Sequence, residues 1–345
     1  MSHLSQNRPR PYVGRLAPSP TGALHLGNAR TFMIAWLRAR SQGGKVILRM
    51  EDLDHPKDKP GAAAQAIEDL RWLGFDWDEE YVQSQRLAYY RAALEALKEG
   101  RETEDERRES WVYPCVCSRR DVEAAQSAPH DGEQLYYPGI CRGRFKTWEE
   151  AVEFKHRVTE TQRDKAGESP CHCTSVFKPC WRFRVSENTV VSFDDAFAGH
   201  YEQDVSRTLG DFPLARDEFG AGYTLACTVD DLLMGVTEVV RGDDLIPATP
   251  AQILLARALS GVVDGCRLPS YCHVPLVVGR DGRRLAKRHG DTRIASFREA
   301  GKSPEEIVGF LAASCGWAAG GERVALDDLV ARFDLTTIPH APFMI

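Results

Sequence analysis

Residues 15–28 read Arg-Leu-Ala-Pro-Ser-Pro-Thr-Gly-Ala-Leu-His-Leu-Gly-Asn, a stretch whose polar groups are suited to handling an anion. The spacing predicts a strand over residues 12–17, broken by Pro18, Pro20 and Gly22. A helix is expected to begin near Leu24, because Ala29, Phe32, Met33, Trp36 and Leu37 recur at the spacing of one helical face. Backbone N–H groups at such a helix start are expected to be unpaired, and the helix dipole is positive there, which suits phosphate or carboxylate. His25 can donate to a phosphate oxygen, and Gly27 leaves room for a flat ring against the backbone. A proline-rich turn before a core helix accounts for the prolines but not for Arg15, Ser19 and His25 together.

Three further groups could do chemistry. Glu51 and Asp52 follow the apolar run 45–50, and carboxylates at the C-terminal end of a buried parallel strand lie where open α/β sheets bind ligands. Far downstream, Arg283-Arg284-Leu285-Ala286-Lys287-Arg288 is a basic turn, a feature that on its own is usually a solvated one. Cys115 and Cys117, followed by Tyr137 and Cys141, supply three thiols, and three thiolates with one oxygen or nitrogen ligand satisfy tetrahedral zinc. A rival set, Cys171, His172, Cys173 and Cys180, could also bind a metal, although cysteines in a short loop are often reduced thiols.

The elements that must position these groups follow a β-α-β-α order, with helices expected over 61–73 and 84–99 and a charged linker or solvated helix over 98–110. Residues 159–179 read as a loop insertion, and 181–185 with 189–193 as strands of a smaller antiparallel domain. From Asp211 the α/β pattern returns: 223–231 as a strand entering a helix, 238–242 as a short strand ending in a charge, 250–259 as a helix and 273–278 as an apolar strand. The tail from Ala295 is expected to be helical, with a capping-box start at Ser303 to Glu306.

A length of 345 residues with 43% hydrophobic residues supports two or three domains with a sizeable core. The net charge of −6 argues against a basic nucleic-acid module, although Arg142, Arg144, Lys146, Lys155, His156 and Arg157 form a local basic cluster. The first eleven residues lack an apolar signal core, and no run approaches the roughly 18 apolar residues of a membrane span, so a cytoplasmic location with no membrane contact is expected. Ten cysteines in such a chain point to thiols or metal ligands rather than disulfides.

The 15–28 stretch resembles the nucleotide-binding signature of class I aminoacyl-tRNA synthetases, in the form found in their glutamyl and glutaminyl branch. The basic turn is similar to the mobile lysine loop of the same superfamily, with Arg284 in place of its first lysine and Ala286 in place of its serine. The Cys-x-Cys and Tyr-x-x-x-Cys arrangement is similar to that of the glutamyl-Q tRNA(Asp) synthetase family, and Cys227 departs from the asparagine common in full-length glutamyl-tRNA synthetases.

The resemblance implies an α/β, Rossmann-type class I catalytic domain with a zinc-bearing insertion domain and a short C-terminal helical region. Its first Rossmann half falls at 12–112, the insertion at 113–210, the second half with the lysine loop at 211–294 and the helical region at 295–345. The helical domains with which full-length relatives grip an anticodon are not expected. The implied chemistry is attack of the L-glutamate carboxylate on the α-phosphate of ATP, then transfer of glutamate to queuosine in tRNA(Asp). A truncated synthetase charging a tRNA 3′ end, or a catalytically idle RNA-binding relative, are the alternatives. By resemblance His25 and Lys287 are catalytic and bind ATP together with Gly27, while Arg15, Leu16, Ala17, Pro18, Ser19, Glu51, Tyr223 and Arg241 bind glutamate. Glu51 would hold the substrate ammonium, and one or both arginines its carboxylates. One Zn(2+) per chain on Cys115, Cys117, Tyr137 and Cys141, Mg(2+) arriving with ATP, and a monomeric state complete the expectations.

Overall fold

A computed structural model describes residues 10–53, 59–102, 108–118, 121–122, 136–166, 179–216, 220–260, 267–283, 285 and 291–345, with the side chains of 101–102, 108 and 158–166 excepted. Strand β1 (Val13–Leu16) leads through the proline turn into helix α1 (Leu26–Arg40), then β2 (Lys45–Met50), α2 (Ala62–Trp72), β3 (Glu79–Val82) and α3 (Leu87–Glu99). β1, β2 and β3 form a parallel sheet in that order. α1 forms because its apolar side closes on this sheet: Ala29, Met33, Trp36 and Leu37 are buried, and Arg38 and Arg40 sit in its last turn, where the dipole is negative.

A two-residue ribbon, β4 (Arg101–Glu102) with β5 (Arg108–Glu109), follows, then β6 (Val112–Cys115), a long helix α4 (Trp148–Ala166) and β7 (Cys180–Phe183). β8 (Val190–Asp195) and β9 (Gly199–Asp204) make a hairpin, followed by the short α5 (Val205–Thr208) and β10 (Pro213–Ala215). β6, β7 and β10 form a small antiparallel sheet. The later elements are α6 (Tyr223–Leu233), β11 (Glu238–Gly242), α7 (Thr249–Ser260), β12 (Ser270–Val274) and β13 (Val277–Val278), then α8 (Ile294–Glu299), α9 (Pro304–Ala313) and a last strand β14 (Phe343–Met344). Among the described residues no helix is long and apolar enough to cross a membrane.

β11 runs beside β1. The Thr237 N–H donates to the Val13 carbonyl, and the Thr237 hydroxyl accepts the Val13 N–H, both at 2.9 Å. β1 is therefore flanked by β2 on one side and β11 on the other, the point in an open α/β sheet where chain connections diverge and a crevice opens beyond the strand ends. One core lies between the first sheet, α1 and the C-terminal helices, and a second between α3, α6, α7 and the small sheet.

Four expectations are corrected. Residues 223–231 are helical from the start: α6 buries nearly every side chain from Leu225 to Leu232, and a short run buried on all sides carries no period to tell helix from strand. The strands read as one small domain divide between two sheets, because β7 joins β6 and β10 whereas β8 pairs with β12 through Asp195 and Tyr271. The run 273–278 breaks at Pro275, which has no N–H for a ladder, and β13 pairs with β14. The tail is only partly helical: beyond α9 it makes two short 3-10 turns, Asp327–Arg332 and Leu335–Thr337, and ends as β14 paired with β13. Its capping box is present, with Ser303 N–H donating to Glu306 at 2.9 Å and Glu306 N–H to the Ser303 hydroxyl at 3.4 Å.

Candidate active site

A cavity of about 600 Å³ opens beyond the C-terminal ends of β1 and β11. Of the sequence-predicted residues, Arg15, Ala17, Pro18, Ser19, His25, Gly27, Glu51, Tyr223 and Arg241 all line it, although they come from four separate stretches of chain. Leu24, Phe32, Leu276, Val277 and Leu285 supply its apolar wall. Leu16 does not line it: the side chain is fully buried in the core. An apolar cavity with a few convergent charged groups is the usual form of a small-molecule site.

His25 is the N-cap of α1, and this changes how the helix start can meet a phosphate. Its Nδ1 accepts the N–H of Gly27 at 3.1 Å and of Asn28 at 3.4 Å, and the Asn28 side chain accepts the His25 N–H. The Leu26 N–H donates to the Thr292 carbonyl and the Ala29 N–H to that of His25, both at 3.0 Å. The first-turn amides are thus satisfied within the protein, contrary to the expectation that they would be unpaired. With Nδ1 accepting, the ring proton belongs on Nε2, so His25 can offer an N–H to an anion from its far side. A Cβ on Gly27 would stand 3.0–3.1 Å from the His25 ring, so the glycine makes room for the histidine itself.

The polar floor of the site contains two residues that sequence reasoning missed. Arg49 has a fully buried side chain and donates to Asp231 at 2.6 Å and to Glu51 at 3.0 Å. Burial would lower its pKa, but Asp231 and Glu51 outweigh that and hold it well above the usual value. Arg15 donates to the Val240 carbonyl at 2.9 Å and leaves its Nε–H without a hydrogen bond, 3.7 Å from Asp231. Cys227 donates its S–H to Glu51 at 3.2 Å, and burial pushes that thiol far up, so it remains a donor. Glu51 is thereby fixed by two partners while it faces the cavity. The available signal was an arginine inside the apolar strand β2, since a buried charge requires a partner.

On the opposite wall Arg241, at the end of β11, donates from Nε to His273 at 3.0 Å and from Nη2 to the Thr249 hydroxyl at 2.8 Å. Tyr223 opens α6 and is 46% exposed, which leaves its ring open to a ligand rather than packed.

The cysteine cluster lies in its own small core at the end of β6. Cys115, Cys117 and Cys141 have sulfurs within 4.8 Å of one another, and the Cys117 to Cys141 separation is 3.6 Å. Sulfurs sharing a tetrahedral zinc with bonds near 2.3 Å stand about 3.8 Å apart. The Tyr137 hydroxyl is 3.2 Å from Cys115, 3.6 Å from Cys117 and accepts the Cys141 N–H at 3.0 Å. Hydrogen bonds from Cys117, Cys141 and Cys180 hold the Cys115 thiol well below its ordinary value, and Arg182 donates to it at 3.3 Å. Cys180 of the rival set is the cross-strand neighbour of Cys115, whereas Cys171, His172 and Cys173 lie outside the described residues. The described residues can therefore hold one metal ion in this cluster.

Lys287 and its neighbours 284, 286 and 288 also lie outside the described residues. The flanks of their loop are placed: Leu285 lines the cavity, and beyond the loop Ile294 N–H donates to the Leu24 carbonyl at 2.9 Å, so the returning chain is clipped to the residues around His25.

Comparison with known proteins shows the family. Residues 12–341 match the family described as tRNA synthetases class I (E and Q), catalytic domain. A glutamyl-Q tRNA(Asp) synthetase from Symbiobacterium thermophilum is 44% identical, the match covering 96% of this chain and 95% of the relative. One from Rhodopirellula baltica is also 44% identical, with 96% of each chain covered. Among solved structures, a glutamate tRNA ligase from Elizabethkingia meningosepticum in complex with its amino acid superposes with a TM-score of 0.72 at 26% identity, over 97% of this chain and 67% of that one.

Proposed function

We infer the reaction from the premise that this chain belongs to the class I tRNA synthetases of the glutamate and glutamine branch. It is an enzyme that activates L-glutamate with ATP and transfers it to queuosine of tRNA(Asp). The observation that carries this reading is the match over nearly the whole of both chains to proteins named glutamyl-Q tRNA(Asp) synthetase.

In the first step a glutamate α-carboxylate oxygen attacks the α-phosphorus of ATP. The bond to the bridging oxygen breaks, and pyrophosphate leaves with its electron pair. In the second step an acceptor group on the modified base attacks the acyl carbon of the adenylate, and AMP departs. Little covalent chemistry is asked of the protein in the first step, so its work is positioning and neutralisation of charge. Glu51, held by Arg49 and Cys227, receives the substrate ammonium, and Arg15 and Arg241 receive carboxylates. His25 donates from Nε2 and Lys287 from its ammonium to the phosphates. Magnesium held largely by those phosphates would neutralise part of their charge. Glutamate-dependent exchange between ATP and labelled pyrophosphate, run without RNA, tests the reading: exchange is expected, and its absence would contradict tRNA-independent activation.

Lys287→Ala is expected to slow activation by roughly 10²–10³-fold, the effect of losing one preorganised transition-state donor. Single-turnover formation of the adenylate measures it, and an unchanged rate would remove Lys287 from the mechanism.

For the cysteine cluster we propose one zinc ion per chain, with Tyr137 as the fourth ligand and a structural role, since the four donor atoms leave no open position. Elemental analysis should find about one zinc per chain, lost when Cys115, Cys117 and Cys141 are all changed to Ser. Metal retained in that variant would move the site to other ligands.

A further inference from the structure

Arg241 is held from behind by a chain of buried groups that begins in the β8–β9 hairpin. Arg241 and His273 are register partners on the adjacent parallel strands β11 and β12. Arg241 donates its Nε–H to His273 Nε2 at 3.0 Å, which requires that nitrogen to carry a lone pair rather than a proton. The other ring nitrogen, Nδ1, lies 2.6 Å from Asp195, whose carboxylate also accepts the backbone N–H of His273 at 3.0 Å, Ala198 at 2.8 Å and Phe197 at 3.0 Å. The His273 and Asp195 side chains are 0% and 1% exposed, so neither can touch a ligand in the cavity. Burial holds the imidazole below its ordinary pKa against the opposing pull of Asp195, in keeping with a neutral ring.

We propose that His273 is a positioning residue for glutamate recognition: Asp195 fixes its Nδ1–H tautomer, and the bare Nε2 fixes the guanidinium of Arg241 that meets a substrate carboxylate. With Nη2 donating to the Thr249 hydroxyl at 2.8 Å and to the Leu245 carbonyl at 3.5 Å, three acceptors anchor one side of the guanidinium. Among the described residues Nη1 has no protein hydrogen bond, and a carboxylate can take it. The hairpin thus has a task in the site, since its last β8 residue holds the imidazole that in turn holds Arg241. This inference rests on the glutamate reading above.

The test is pyrophosphate exchange by the full chain at varied glutamate and ATP. In His273→Phe the KM for glutamate should rise roughly tenfold to hundredfold, the effect of losing one charge-assisted hydrogen bond, with kcat and the KM for ATP within about twofold. His273→Gln, which returns an acceptor near the place of Nε2, should recover the glutamate KM to within about threefold of the original. An unchanged KM in His273→Phe, or equal damage in the two variants, would overturn the proposal in favour of a packing role. If His273→Phe does not fold, the imidazole ¹⁵N signals of the unaltered protein decide: Nδ1 protonated and Nε2 bare is expected, and a proton on Nε2 overturns it. No glutamate-dependent exchange by the unaltered protein would instead sink the function reading, leaving the ¹⁵N signals to judge the tautomer.

Discussion

His25→Asn is expected to slow glutamate activation by roughly 10²–10³-fold while the unfolding temperature stays within a few degrees of the original. The two halves of that result come from the two nitrogens of one ring. Nδ1 caps α1, taking the N–H of Gly27 and Asn28, and an asparagine side chain places an acceptor at nearly the same distance from the backbone. In the proposed mechanism Nε2 would offer its proton to the phosphate, and asparagine is too short to reproduce it. His25→Ala should lose both, with the same rate defect and about 1 kcal/mol less stability. Single-turnover adenylate formation and thermal unfolding of the two variants give the comparison. A normal rate in His25→Asn would mean that the histidine serves the helix alone.

Arg49→Met is expected to destabilise the protein by about 3–5 kcal/mol, the cost of leaving buried charges without their partner. The side chain lies between Asp231 and Glu51 with no exposure, so its removal strands two carboxylates in the floor of the site. Glu51 would also lose the donor that orients it, which should raise the glutamate KM. Chemical denaturation and exchange kinetics measure the two effects. A loss below about 1 kcal/mol would show that water or Arg15 compensates, and that the floor does not depend on Arg49.

What the residues disclosed in advance divides along physical lines. The strand, turn and helix around His25 were legible because prolines, glycine and a helical apolar stripe have local consequences. Gathering Arg15, Glu51, Tyr223 and Arg241 into one cavity is a long-range result, foreseen through family resemblance rather than from spacing. α6 was misread because a helix buried on all sides shows no period. β3 was missed because its Glu-Glu-Tyr-Val sequence is polar, as befits the edge of a sheet. The capped state of the helix start was hidden for a different reason: a histidine is not a usual N-cap residue, so nothing in its type announced that it would bind the amides a phosphate was expected to find. Asp195, Arg49 and Asp231 act through partners far away in the chain, and single residues of that kind become readable only when the fold brings the partners together.

The acceptor on RNA separates this enzyme from one that charges a tRNA end, and the position of transferred glutamate identifies it. The protein is incubated with ATP, labelled glutamate and tRNA(Asp) with or without queuosine, the tRNA is cut by a nuclease, and the labelled fragment is identified. Label is expected in the anticodon-loop fragment and only on tRNA that carries queuosine. Label on the 3′-terminal fragment, or equal labelling of queuosine-free tRNA, would contradict it and favour a synthetase that charges the tRNA end.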